Sequence, residues 1–316
     1  MENLLWDLVP WGYQLLLEIE SWRTPLLDAF FPAITELGNE YFYIIFFTLL
    51  FWCYDKRVGI GAAYATLFST TFNSWIKRYF DIPRPASPAL DMQLDDAGIT
   101  GRLDPLFHET SPSWPSNHSQ GAMVMWSYVA SKVKKGWFWA IAIALILLIA
   151  FSRMYGGVHF PQDVIGGLLI GAIFLALWSL GEPRAIPALA SLSEPIKIGL
   201  AIAIPLIVML AIRTDDSVSA MGAISGATVA FLLEARKLRF SPAGSWWKRI
   251  LRGIVGLVVV FATYLGLSAL FGLFDESLGE FLAMLLRAFR YALVGFVGFY
   301  IAPWLFLRFG LAERES

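Results

Sequence analysis

Long apolar stretches, broken by short polar ones, run along almost the whole chain. The blocks near 40–54, 58–77, 118–133, 137–155, 163–181, 196–212, 217–234, 250–273 and 289–308 predict about nine transmembrane helices. Crossing a hydrocarbon core of about 30 Å takes roughly 20 helical residues, so the shorter blocks imply tilted or partly embedded helices. The expected fold class is all-α, a polytopic integral membrane helical bundle. Ahead of the first block, Leu4, Trp6, Leu8, Leu15, Leu16 and Ile19 mix with Glu18 and Glu20, which predicts amphipathic helices lying in the membrane interface. The one long polar loop, Arg78 to Pro115, is rich in Pro, Asp, Gly and Ser and predicts irregular chain placed to act as a lid. Gly167 with Gly171, and Gly222 with Gly226, have the spacing that lets membrane helices approach closely.

Composition sharpens this picture. Hydrophobic residues make up 57% of the chain and charged ones 16%, against roughly 25% charged in soluble domains. The lipid bilayer is the expected surrounding, and no nucleic-acid partner is expected. Glu2 and Asp7 stand where a signal peptide would be positively charged, so no cleaved targeting segment is expected. Cys53 is the only cysteine, which excludes an internal disulfide.

Charge becomes informative once it is sorted by side. With the N-terminus outside, the loops near 55–57, 132–136, 182–197 and 235–252 share one face with the C-terminal tail. That face collects 15 of the 24 basic residues but six of the 25 acidic ones, leaving nine basic and 19 acidic on the other. The excess of Lys and Arg assigns the first face, and the C-terminus, to the cytoplasm.

The candidate chemistry falls on the opposite, extracytoplasmic face. Lys77 and Arg84 lie in KRYFDIPRP, Ser116, Asn117 and His118 in PSNH, and Arg153, His159 and Asp163 in SRMYGGVHFPQD. Lys77 ends the second predicted span, His118 opens the third, Arg153 ends the fourth, and His159 and Asp163 open the fifth. Residues far apart in sequence are thereby brought to one membrane boundary. Each has an ordinary role when taken alone: a Lys at a helix end is commonly a snorkelling anchor, and an acid at a helix start favours the dipole. His108, outside these strings, keeps the reading of a structural histidine.

Together they suit phosphoryl transfer, which depends on charge stabilisation around the equatorial oxygens. Lys77, Arg84 and Arg153 supply cations, and Arg grips phosphate oxygens bidentately. Ser116 can donate a hydroxyl hydrogen bond, and the N–H groups of Asn117 and His118 open a helix, where anions bind. His159 can attack phosphorus, with Asp163 one turn later to orient it, and His118 can exchange protons with the leaving oxygen and water. No metal and no cofactor are needed in this scheme.

The strings K-x6-R-P, P-S-x-H and S-R-x5-H-x3-D resemble the three signatures of the type 2 phosphatidic acid phosphatase superfamily. That superfamily includes lipid phosphate phosphatases, undecaprenyl pyrophosphate phosphatases, glucose-6-phosphatase and vanadium haloperoxidases. The resemblance covers roughly residues 40–181. It implies a metal-independent phosphoric ester hydrolase with a phosphohistidine at His159, an acid at His118 and a phosphate cradle from the other residues. Asn117 departs from the pattern, standing where the family usually has Gly.

The expected organisation is therefore N-terminal interfacial helices over 1–39, a phosphatase core over 40–181 and additional helices over 182–316. The expected substrate is a phosphorylated lipid, phosphatidic acid-like or an isoprenyl phosphate, met in a bacterial inner membrane. Trp75, Tyr79, Phe80 and Trp114 flank the motifs and could meet its chain. A sugar-phosphate phosphatase, suggested by the nine-span layout, and a phosphate-ester transporter are the alternatives.

Overall fold

The computed structural model describes residues 2–273 and 279–315. The architecture is helical, with one isolated antiparallel bridge between Phe240 and Arg314. In chain order the helices are α1 (Glu2–Asp7), α2 (Val9–Ser21), α3 (Pro25–Thr35), α4 (Glu40–Cys53), α5 (Lys56–Phe80), α6 (Asp91–Asp96) and α7 (Asn117–Val133). There follow α8 (Gly136–Tyr155), α9 (Pro161–Ala190), α10 (Glu194–Ala211), α11 (Asp215–Leu233), α12 (Trp246–Gly272), α13 (Glu280–Phe296) and α14 (Ala302–Arg308).

Every predicted block falls on a helix, but the expected count of about nine spans is not reached. Among the described residues, six helical stretches are long and apolar enough to cross a membrane: 136–155, 161–190, 194–211, 215–238, 246–272 and 280–308. The other three blocks fall short for different reasons. With 14 and 17 residues, α4 and α7 reach only about 21 and 26 Å at 1.5 Å per residue. The 25-residue α5 is long enough, but it buries Thr66, Ser69, Thr71, Asn73, Ser74 and Lys77 along its length.

The chain divides into two compact units, one of residues 1–43 and 72–178, the other of 44–71 and 179–316. In the first, the N-terminal helices are more than interfacial decoration. Val9, Tyr13, Leu16 and Ile19 of α2 are buried with Leu90, Leu94, Ile99 and Leu103 of the polar loop and with Tyr155 and Phe160. Leu4 and Trp11 remain exposed, as an interfacial face requires. The loop is also less irregular than expected, since it contains α6 and a short 3-10 turn at Pro88–Leu90. Gly167 and Gly171 of α9 lie against Ser116, Ser119, Gln120 and Met123, so the small residues seat α9 on the start of α7. The opposite stripe of α9, Ile165, Leu169, Ile173 and Leu177, is exposed, as a lipid-facing surface would be.

In the second unit, α11 and α13 pack backbone to backbone through glycines. A Cβ at Gly222 or Gly226 would run into the backbone of Ala288 or Ala292, and one at Gly295 would lie 2.7 Å from the Ala223 carbonyl. Small residues on both helices make this contact possible. We expect Gly226→Val to force the helices apart, costing about 1–3 kcal/mol and lowering the thermal unfolding temperature in detergent. The rest of this core is aromatic, with Phe51, Trp52, Phe240, Phe299 and Phe306 buried. Arg252 satisfies its buried charge by donating to the carbonyls of Trp52, Ser241 and Ala243 at 2.9–3.0 Å.

Candidate active site

Four helix ends of the first unit converge: the C-termini of α5 and α8 and the N-termini of α7 and α9. On α5, Asn73, Ser74, Ile76 and Lys77 are buried while Phe72, Trp75, Arg78 and Tyr79 are exposed. That helical periodicity sends Lys77 inward and leaves Trp75 and Tyr79 outside. Of the other two flanking aromatics, Trp114 is buried edge-on against Phe80, at 4.5 Å between centroids. Arg153 on α8 is likewise buried, as are His159 and Asp163.

His159 is held from both sides. Its Nε2 lies 2.8 Å from Arg84 Nη1, and Arg has no acceptor, so Nε2 must present its lone pair. The proton then sits on Nδ1, which faces Asp163 Oδ2 at 3.3 Å. The same carboxylate oxygen accepts from the Phe160 N–H at 2.8 Å and from the Ser113 hydroxyl, in a short hydrogen bond. Pro161 starts α9, and the Asp163 N–H donates to the Phe160 carbonyl at 3.0 Å, so the acid is set within the first turn. Sequence spacing therefore places the pair correctly, and the tautomer follows from the hydrogen bonds.

Burial holds the His159 imidazole well below the usual histidine range, with Arg84, Lys77 and Arg153 adding to the effect in that order. The charged form is penalised by lost hydration and by three nearby cations. A consequence for stability follows. Unfolded His159 binds a proton near pH 6.5 while the folded residue does not, so the folded state loses stability as pH falls below that value. Thermal unfolding in detergent should steepen in its pH dependence between about pH 6.5 and 5 by up to about 1.4 kcal/mol per unit, and His159→Gln should flatten it.

The cations are fixed by the loop. Arg84 donates from Nε to the Ser111 carbonyl at 2.8 Å, from Nη2 to the Ser111 hydroxyl at 2.9 Å and from Nη1 to the Val158 carbonyl at 2.9 Å. Lys77 donates to the Pro112 carbonyl in a short contact and approaches the Ser111 hydroxyl at 3.5 Å. Arg153 donates to the Thr35 hydroxyl at 2.6 Å and lies over the Phe107 ring at 5.3 Å. Between the two arginines sits Glu109, one carboxylate oxygen on Arg153 Nη2 and the other 3.7 Å from Arg84 Nη2. An anion thus bridges the two guanidinium groups.

The PSNH string leads into α7, which starts at Asn117. Ser116 is the N-cap, and its hydroxyl accepts from the Ser119 N–H at 3.4 Å and from the Ser119 hydroxyl at 3.0 Å. Its own N–H donates to the Asp163 carbonyl at 3.0 Å, tying the second motif to the third. The expected donation to substrate thus competes with a capping role. Asn117 has ordinary helical backbone, so a side chain is accommodated where the family usually has Gly. Its buried Oδ1 has no hydrogen-bond partner among the described residues. The Asn117 and His118 N–H groups, at the first two helical positions, lack intrahelical acceptors by geometry. His118 Nε2 lies 2.8 Å from Asn39 Oδ1. His108 is exposed in the loop.

Several partners escaped the sequence reading: Ser111, Ser113, Glu109, Thr35, Asn39 and Asn73, whose amide donates to Gln120 Oε1 at 2.8 Å and the Pro115 carbonyl at 3.2 Å. Single Ser, Thr and Asn residues are too common to stand out. Glu109 alone carried a signal, as an acid beside a serine-rich stretch leading into PSNH.

A helical membrane scaffold gathering two histidines, three cations and an anion seat defines an integral membrane protein with a site suited to phosphate. Two sequence models agree with this: the PAP2 superfamily matches residues 59–186, and the PAP2 superfamily phosphatase transmembrane extension matches 218–314. The chain belongs to this superfamily, the type 2 phosphatidic acid phosphatases. It is 29% identical to lipid phosphate phosphatase delta of Arabidopsis thaliana over 53% of this chain and 41% of that protein. It is 26% identical to a dihydrosphingosine 1-phosphate phosphatase of Saccharomyces cerevisiae over 81% of this chain and 67% of that protein. The crystal structure of Aquifex aeolicus LpxE is 32% identical over 52% of this chain and 92% of that one, with a TM-score of 0.45. The chain thus spans less than half the length of the Arabidopsis relative.

Proposed function

We propose that this chain is a metal-independent membrane phosphatase that releases phosphate from a phosphorylated lipid at the extracytoplasmic face, through a phosphohistidine on His159. The observation that carries the reading is the oriented imidazole: Nε2 presents its lone pair to Arg84 Nη1 while Asp163 holds Nδ1. In the first step Nε2 attacks phosphorus, the P–O bond to the lipid breaks, and His118 protonates the departing oxygen. In the second, His118 takes a proton from water, the hydroxide attacks, the P–N bond breaks, and inorganic phosphate leaves His159 restored. Lys77, Arg84, Arg153 and the N–H groups of Asn117 and His118 stabilise the charge on the transferring group, and Asn117 Oδ1 and the Ser116 hydroxyl border it.

Lipid is favoured over a soluble ester by the apolar face beside Lys77, where Trp75 and Tyr79 are 53% and 76% exposed, and by the lipid-phosphate names of the relatives. The excess of basic residues on the opposite face supports an extracytoplasmic site. Phosphate release from phosphatidic acid, an isoprenyl pyrophosphate and glucose 6-phosphate, measured side by side in detergent, tests the substrate class. A preference for the sugar phosphate would overturn it, and passage of intact substrate across vesicles without phosphate release would make the chain a transporter.

On this reading, incoming phosphate must displace Glu109 from Arg84 and Arg153. Glu109→Gln is expected to lower KM and the inhibition constant for inorganic phosphate by roughly three- to tenfold, since a neutral amide competes less for the guanidinium groups. A raised KM would show that Glu109 orients the arginines instead.

A further inference from the structure

We infer that Asn39 is a positioning residue for the reaction: its carboxamide turns the Nε2–H of His118 toward itself, leaving Nδ1 as the nitrogen that exchanges protons with leaving group and water. The inference rests on the phosphatase reading above. It adds to that reading a segment outside the three motifs and outside the matched residues 59–186.

The geometry is specific. Asn39 directly precedes α4, with extended backbone, φ −91° and ψ 162°. Asn at such a position ordinarily caps the helix by accepting from the N–H groups of its first turn. Here Oδ1 lies 2.8 Å from His118 Nε2 instead. A carboxamide oxygen only accepts, so the bond fixes the tautomer, as a carboxylate or carbonyl does for other working histidines. The residue before it serves the same contact. A Cβ on Gly38 would stand 2.5 Å from His118 Cδ2, so the missing side chain is what lets this turn close over the ring. Four residues earlier, Thr35 accepts from Arg153 Nη1 at 2.6 Å. The stretch 35–39 thus touches two motif residues from one side.

The charged groups around His118 are Arg153, Arg84 and Lys77, with the His159 imidazole also within electrostatic reach. Glu36 acts on Arg153 from the 35–39 stretch itself. Each of the cations opposes a proton on His118. Asn39 is neutral, so it orients the ring without adding to either side of that balance.

The test uses the full-length protein in detergent with phosphatidic acid as substrate. Asn39→Ala should lower kcat about ten- to 100-fold with KM little changed, because the ring loses its orientation while the phosphate cradle stays intact. Asn39→Asp restores an acceptor but adds a negative charge, which should move the His118-dependent limb of the kcat–pH profile up by about one unit. Gly38→Ala should reproduce the loss of kcat by displacing the ring. Unfolding temperatures, measured for each variant, separate this from a structural role. A fall in stability with wild-type kcat and an unmoved pH profile in Asn39→Asp would overturn the inference. If His118→Ala and His159→Ala were also fully active, the phosphatase reading would fail; if those two are inactive while the Asn39 variants match the wild type, only the assignment of Asn39 fails.

Discussion

His159→Ala is expected to abolish phosphate release, with kcat falling by about 10,000-fold or more, as removing the nucleophile does in covalent hydrolases. The size of the effect follows from the geometry. His159 Nε2 presents its lone pair to Arg84, and the cradle alone provides charge stabilisation without an attacking group. The folded protein should survive the change, because the buried ring is uncharged, so its loss strands no counter-charge, and Arg84 keeps the Ser111 and Val158 carbonyls as acceptors. The measurement is single-turnover release of labelled phosphate, together with trapping of base-stable, acid-labile label on the wild-type protein and its absence from the variant. Normal turnover by His159→Ala would refute the covalent mechanism, while loss of label with partial turnover would point to direct attack by water.

Asp163→Ala is expected to reduce kcat by roughly 1,000- to 10,000-fold, comparable with losing the orienting acid of a triad. The carboxylate oxygen that faces His159 also accepts from Phe160 N–H and Ser113, so its removal leaves three donors without an acceptor in a buried place. Asp163→Asn separates orientation from charge. Oδ1 has no hydrogen-bond partner among the described residues, so an amide nitrogen can occupy that side while the remaining oxygen keeps the Oδ2 contacts. The tautomer is then preserved and only the negative charge is lost, so Asn should retain more activity than Ala. Equal losses in the two variants would mean that charge, and not the position of Nδ1–H, is what Asp163 contributes. Ser113→Ala should show a smaller loss in the same direction, since Phe160 still holds the carboxylate.

These expectations show where sequence was sufficient. Hydrophobic blocks place every long helix because each must bury its backbone hydrogen bonds internally in lipid, and that demand is met residue by residue along the chain. The motif residues are equally legible as positions, since Lys, Arg, His and Asp beside long apolar blocks are costly to bury and therefore conspicuous. The four-residue step from His159 to Asp163, with Pro161 between, already implies that the two side chains meet, and in the structure they do so across the start of α9. The span count was not legible, because α4 and α7 read as apolar blocks yet are short, and α5 buries polar residues along its length.

What could not be read along the chain is the support around those residues. Glu109 meets Arg153 across 44 residues, Thr35 meets it across 118 and Asn39 meets His118 across 79. The N-terminal segment, expected as interfacial helices over 1–39, shares a compact unit with residues 72–178 that carry the motifs. Sequence by itself determined the helical membrane architecture and which motif residues to look for, because both rest on local pattern: hydrophobic length and residue type at fixed spacing. Tertiary structure decided the tautomer of His159, the resident carboxylate between the arginines and the partner of His118. Those depend on hydrogen bonds between distant segments, and such bonds have direction and reach that no one-dimensional spacing encodes.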